Sequence, residues 1–130
     1  MNVDLINEVI KGSLEGSMTF PQVVGKLLSE GMESYHVDLV RSENRYYMPS
    51  GETHVETVPF KHPKAAEKFS SVLVKTAIKS IQAGKINYKQ FLDQIMEAGT
   101  VYYITYLTGK RVSYFGREGD FHVEHFPKNK

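Results

Sequence analysis

The sequence predicts an α+β fold. The expected architecture is an internal duplication of a helix–helix–strand–strand–strand unit, with one or two antiparallel meander sheets packed with helices about a pseudo-two-fold. Three observations carry this expectation. The string Gly51-Glu52-Thr53-His54-Val55-Glu56 returns 68 residues later as Gly119-Asp120-Phe121-His122-Val123-Glu124. Residues 16–59 lie over 84–127 without a gap, and 11 of those 44 positions are identical, among them Tyr35/Tyr103, Tyr46/Tyr114 and Gly31/Gly99. The apolar pattern also switches from helical spacing to alternation in the same order in both halves.

The elements follow in chain order. Residues 3–14 place apolar side chains at Leu5, Ile6, Val9, Ile10 and Leu14, one stripe of a helix that Gly12 and Gly16 weaken at its end. The second helix carries its own start and stop signals. Thr19 caps it, Pro21 is tolerated in the first turn, and Gln22 stands three residues after the cap as a capping box requires. Phe20, Val23, Val24, Leu27 and Leu28 form its apolar face, and Gly31 ends it. The second copy repeats each device with Asn87, Gln90, a stripe from Tyr88 to Met96, and Gly99.

Strands come next. Residues 33–41 alternate, with Tyr35, Val37 and Leu39 on one side and His36 and Asp38 on the other. Residues 101–108 repeat this with Val101, Tyr103, Thr105 and Leu107 against Tyr102, Ile104 and Tyr106. Turns at Ser42-Glu43-Asn44 and Thr108-Gly109-Lys110 lead to short strands around Tyr46 and Tyr114. Gly51 and Gly119 end the next turns and open third strands carrying the repeated string. Pro59-Phe60-Lys61-His62-Pro63 joins the halves, and Pro63 is expected to open a helix running through Phe69, Leu73, Ile78 and Ile81. Lys128-Asn129-Lys130 is expected to fray.

The 130 residues are expected to form a single domain, with repeat one at 1–60 and repeat two at 64–127. Half a chain is too small to bury enough surface alone, so the two units share one core. Six strands in one sheet and two facing three-stranded sheets both fit the pattern.

Composition excludes several classes. A net charge of +1 gives no overall pull toward nucleic acid or anionic lipid. The apolar runs are far too short to span a membrane, and the start lacks the basic and apolar regions of a secretory signal, so a cytoplasmic protein is expected. With no cysteine there is no disulfide framework, thiolate metal site or cysteine nucleophile. No phosphate loop, dinucleotide fingerprint, nucleophile elbow or HExxH motif occurs, so neither a cofactor nor a metal is assigned.

The candidate ligand-binding residues are His36, Asp38, His54, Glu56, Tyr106, His122 and Glu124. Residues two apart on a strand share a face. Taking Val55, Val123 and Phe121 as core, the His–Glu pairs face away from the helices. His36 and Asp38 would then join His54 and Glu56 on one surface. Imidazole beside carboxylate suits a divalent metal or acid–base chemistry. The plainer reading is a half-exposed sheet whose polar face meets water. It is favoured because the second copy replaces His36 and Asp38 with Ile104 and Tyr106.

The tyrosines form a second constellation. Tyr46, Tyr47, Tyr102, Tyr106 and Tyr114 could line a groove where the halves meet, with Tyr35 and Tyr103 as core packing. The basic clusters, Lys61, His62, Lys64 and Lys68 at the linker and Lys110, Arg111 and Arg117 at hairpin turns, are interleaved with acids and form a solvated face.

Several segments together resemble one family. They are Phe20-Pro21 with Gly31, Tyr35-His36-Val37-Asp38, Tyr46-Tyr47-Met48-Pro49-Ser50-Gly51-Glu52, Ile95-Met96-Glu97-Ala98-Gly99, and Tyr114-Phe115-Gly116-Arg117-Glu118-Gly119-Asp120-Phe121-His122-Val123-Glu124. The chain resembles the YbcV family, a bacterial domain-of-unknown-function family whose members are often labelled "phage envelope protein". The resemblance implies a bacterial or prophage-borne protein and supplies no catalytic residues.

Three functional readings follow. The leading one is a non-enzymatic domain that binds a small molecule or partner. The alternatives are a metal-dependent or acid–base enzyme using His36, Asp38, His54 and Glu56, and a phage structural or assembly protein. A homodimer is compatible with all three; nucleic acid and membrane are not expected partners.

Overall fold

In the computed structural model, which describes residues 1–60 and 64–127, every helix starts at a polar side chain that accepts a hydrogen bond from the first turn. Asn2 does so for α1 (Val3–Glu15), Thr19 for α2 (Phe20–Ser29), Ser70 for α3 (Ser71–Gln82) and Asn87 for α4 (Tyr88–Glu97). Both expected capping boxes form: Thr19 N–H donates to Gln22 Oε1 at 2.8 Å, and Asn87 N–H to Gln90 Oε1 at 2.9 Å.

The strands are β1 (Ser34–Asp38), β2 (Glu43–Tyr47), β3 (Thr53–Thr57), β4 (Thr100–Tyr106), β5 (Arg111–Gly116) and β6 (Phe121–His125). The order of two helices and three strands thus occurs twice. All six strands form one antiparallel sheet in the order β3-β2-β1-β4-β5-β6, which excludes two facing sheets. The two meanders meet at β1 and β4, where Ser34 faces Tyr106, His36 faces Ile104 and Asp38 faces Tyr102. His36 and Ile104 are 68 apart, so the junction's register is symmetrical about that pair.

The helices cover one face. Tyr35, Val37, Tyr46, Val101, Tyr103, Val112 and Tyr114 from the sheet are buried in one core with Ile6, Val9, Leu27, Val74, Ile78 and Ile95 from the helices. The other face is open, and leaves Tyr102 44%, Val55 46% and Phe121 65% exposed. No helix among the described residues is long and apolar enough to cross a membrane.

Two boundaries differ from expectation. The third helix does not begin near a proline. It begins at Ser71 under the Ser70 cap, and Phe69 precedes it; Lys61, His62 and Pro63 lie outside the described residues, as does Lys128-Asn129-Lys130. Glu43 and Asn44 belong to β2 rather than to a turn. The turn closes earlier because the Asp38 carboxylate accepts from Val40 N–H and Arg41 N–H, both at 3.0 Å.

The segment before α3 docks on the second half. Ala66 N–H donates to the Met96 carbonyl and Ser70 N–H to the Ala98 carbonyl, so it lies across the end of α4. There Gly99 has φ +97°, and a Cβ on it would sit 2.4 Å from the Lys68 carbonyl oxygen and 2.7 Å from Phe69 Cα. Gly51 has a similar φ of +95° with nothing nearby. In urea denaturation, Gly51→Ala is expected to lower stability by about 1–2 kcal/mol from backbone conformation alone. Gly99→Ala is expected to lower it by roughly 3–4 kcal/mol, since strain and overpacking add there.

Candidate functional site

The register of the edge strands places the repeated His–Glu pairs. On an antiparallel pair, residues directly opposite project to the same side. His54 is opposite Tyr46 and Glu56 opposite Asn44; His122 is opposite Tyr114 and Glu124 opposite Val112. These partners are buried on the helix face, so all four polar residues lie on that face too. The sequence expectation had the sides reversed: Val55 and Val123 point to the open face with Phe121. The physical reason is that β3 and β6 are edge strands. Helix cover thins there, so the helix side tolerates half-buried polar groups, and valine suits an exposed strand position by its β preference.

Each histidine bonds its own glutamate, His54 Nε2 to Glu56 Oε2 at 2.6 Å and His122 Nε2 to Glu124 Oε1 at 3.1 Å. His36, Asp38 and Tyr106 lie on the opposite, open face. The cluster of His36, Asp38, His54 and Glu56 therefore does not assemble, because the sheet separates its two pairs. Among the described residues no group of three or more His, Asp or Glu side chains converges as a metal site. His36 packs its ring 4.6 Å from that of Tyr47, and burial followed by the nearby Arg45 charge lowers its pKa. With Arg45, Tyr102 and Phe115 it borders a shallow depression of about 450 Å³ on the open face.

The larger concavity is inside. Between the sheet and the helices lies a cavity of about 950 Å³, lined by both halves. Many lining residues are paired 68 positions apart: Ile10/Ile78, Thr19/Asn87, Phe20/Tyr88, Val23/Phe91, Tyr35/Tyr103 and Tyr46/Tyr114. Its sheet wall is two tyrosine pairs, Tyr35 stacked on Tyr46 and Tyr103 tilted against Tyr114, each with centroids 5.5 Å apart. The hydroxyls of Tyr88 and Tyr103 bond each other, and Asn44 Nδ2 donates to the Tyr46 hydroxyl at 3.1 Å. Phe20, 39% exposed, packs edge-on against Phe126 at the rim. The space opens to solvent at this rim, so its tyrosine and asparagine groups can meet water or a ligand.

Burial dominates the electrostatics. It pushes the Tyr35 hydroxyl up to about 12, with Thr105 opposing, although Thr105 Oγ1 makes no hydrogen bond of good geometry. Burial likewise raises Tyr46, Tyr88, Tyr103 and Tyr114, and these five phenols stay neutral at physiological pH. The charge of Glu56 adds to the rise at Tyr46, and that of Glu124 at Tyr114.

Of the expected groove tyrosines, Tyr46 and Tyr114 line this cavity, whereas Tyr47, Tyr102 and Tyr106 project from the open face. The cavity also takes Tyr35, Tyr88 and Tyr103, which sequence reasoning left as packing or as a helix stripe. The available signal was the identity of Tyr35/Tyr103 and Tyr46/Tyr114 across the repeat. Glu124 lines the cavity, and Asp38, whose side chain lies on the open face, borders it only at the end of β1; His36, His54, Glu56, Tyr106 and His122 do not line it.

Residues 10–124 match the model of a family described as "Protein of unknown function (DUF1398)". No curated protein matches the chain.

The buried phenols give a direct optical test. Because burial raises their pKa, they contribute stability that is fully present below the unfolded value of about 10 and is lost as pH rises above it through the higher folded values. In an ultraviolet titration Tyr35, Tyr46, Tyr88, Tyr103 and Tyr114 should remain un-ionised at pH ~10 and ionise together when base unfolds the protein. Ionisation of all eight tyrosines at pH ~10 with native circular dichroism would contradict the buried cluster.

Proposed function

The chain belongs to this family of unknown function, and we propose that it is a non-enzymatic binding domain that holds an apolar, ring-containing small molecule in the cavity between its halves. The observation that carries the reading is the tyrosine-walled cavity, of a size common for small-molecule sites. Two features of the wall support binding over mere loose packing. Two packed tyrosine pairs form one side, and a few polar groups, Asn44, Tyr46 and Glu124, are spread among apolar ones. The resemblance to the YbcV family supports a bacterial setting for this role, and a cysteine-free chain suits a cytoplasmic one.

A second reading concerns a partner. The open face presents Val55, Tyr102, Tyr106 and Phe121 at 36–65% exposure, alongside Arg45 and Arg111. Aromatic and arginine side chains of this kind are enriched at interfaces, which favours a homodimer formed face to face. Such self-association is also the form an assembly role would take under the resemblance to the YbcV family and its "phage envelope protein" label.

Two measurements check these readings. A neutral environment-sensitive dye such as Nile red should bind one molecule per chain. Val112→Trp, which fills the cavity from β5, should weaken it by about tenfold or more; Val23→Phe provides the same test if Val112→Trp does not fold. Undiminished dye binding in a folded filled variant would end the cavity reading. For the second reading, light scattering should show a dimer that Phe121→Glu with Tyr102→Glu converts to a monomer; a monomer at high concentration without the substitutions would end it.

A further inference from the structure

The charges around the cavity define the class of its ligand. Five residues of ionisable acid, lysine or histidine type border it: Asp38, Glu43, Glu124, Lys85 and His125; Asp38 and Glu43 stand opposite each other with their side chains on the open face. Asp38 is occupied by Val40 N–H and Arg41 N–H, and Glu43 is held by Arg41 at 3.1 Å and Arg45 at 2.9 Å. Glu124 differs. It accepts one hydrogen bond, from His122, and no lysine or arginine pairs with it among the described residues. It stands opposite Val112, beside the Tyr103–Tyr114 pair. Its equivalent Glu56 stands opposite Asn44, beside the Tyr35–Tyr46 stack, again paired with a histidine alone. Each end of the tyrosine wall is thus flanked by a carboxylate whose charge is not cancelled by a fixed cation.

Tyrosine faces carry the negative lobe of the ring quadrupole and attract cations. The five buried phenols are neutral, so they offer an anionic ligand hydrogen bonds but no full positive charge. Lys85 is the one lysine of the lining, and no arginine lines it. A carboxylate or phosphate ligand would be desolvated against Glu124 and several electron-rich rings, with the Glu56 charge close by. A flat ligand with a delocalised positive charge would gain on both counts without the full desolvation penalty of a compact ammonium.

We infer that the cavity selects a planar aromatic organic cation, held against the tyrosine rings beside Glu124, with Glu56 adding its negative charge from just outside the lining. This rests on the cavity-binding reading above and narrows it to a ligand class. The role of Glu56 and Glu124 is to set the potential of the site, while the rings supply the contact.

The test uses the full chain and three acridines of nearly one shape: N-methylacridinium, neutral acridine and an acridine carboxylate. It is run at about pH 8, well above the range in which the carboxylate probe would protonate. Fluorescence titration should rank the cation first and the anion last, separated by about tenfold or more. Glu124→Gln should weaken the cation by roughly threefold to tenfold and leave neutral acridine within about twofold, with Glu56→Gln acting in the same direction. Equal affinities for the three probes, or tightest binding of the anion, would overturn the charge selectivity while leaving the cavity reading intact. Binding of none of them would overturn both. If a glutamine variant does not fold, the ranking of the three probes in the unsubstituted protein still decides.

Discussion

The helix side of this molecule depends on the antiparallel pairing of β1 with β4. That pairing turns two three-stranded meanders into one six-stranded sheet and puts His36 against Ile104 at its centre. Because side chains alternate along a strand, a slip of one residue would send Tyr35 or Tyr103 to the open face and destroy the wall they share. Register here is fixed by burial: Tyr35, Val37, Tyr103 and Thr105 are all at or below 6% exposure. The helices of both units fall on the same side as a consequence, and the space where they part over the junction is the cavity.

Much of this was legible in the sequence. The helix starts were written in Thr19/Gln22 and Asn87/Gln90, and both capping boxes form where those residues stand. Alternation placed Tyr35, Val37 and Leu39 in the core and His36 and Asp38 outside it, because a central strand has one covered face and one open face. The same logic failed at β3 and β6. Polarity marks the solvent side only where the two faces differ strongly in cover, and at a sheet edge they do not. Val55 and His54 therefore exchanged the sides expected of them. The junction register was not legible, since it is a tertiary choice between one sheet and two that the alternation of either strand leaves open.

The candidate site was legible in its chemistry more than in its place. Glu124 was marked by the repeated string, and Tyr46 and Tyr114 by their aromatic character. Their convergence across the sheet from the helices follows from packing. Tyr88 could not be assigned to a wall from the sequence, because on a helix stripe an aromatic residue next to an N-cap serves the core equally well. It lines the cavity because its hydroxyl meets that of Tyr103.

The strand order also bears on how the chain reaches this state. Four of the five pairings join strands that are neighbours in sequence, and only β1 with β4 closes a long loop, 68 residues at its centre. The chain entropy lost in that closure is roughly 4 kcal/mol, growing only as the logarithm of loop length. A six-stranded sheet usually folds slowly because many of its contacts are distant. Here the hairpins can assemble on the microsecond scale of local events, and a single encounter between two preformed meanders remains. The central seam is therefore the kinetic bottleneck, and partly folded chains carry it as two bare, aromatic strand edges that another copy could capture.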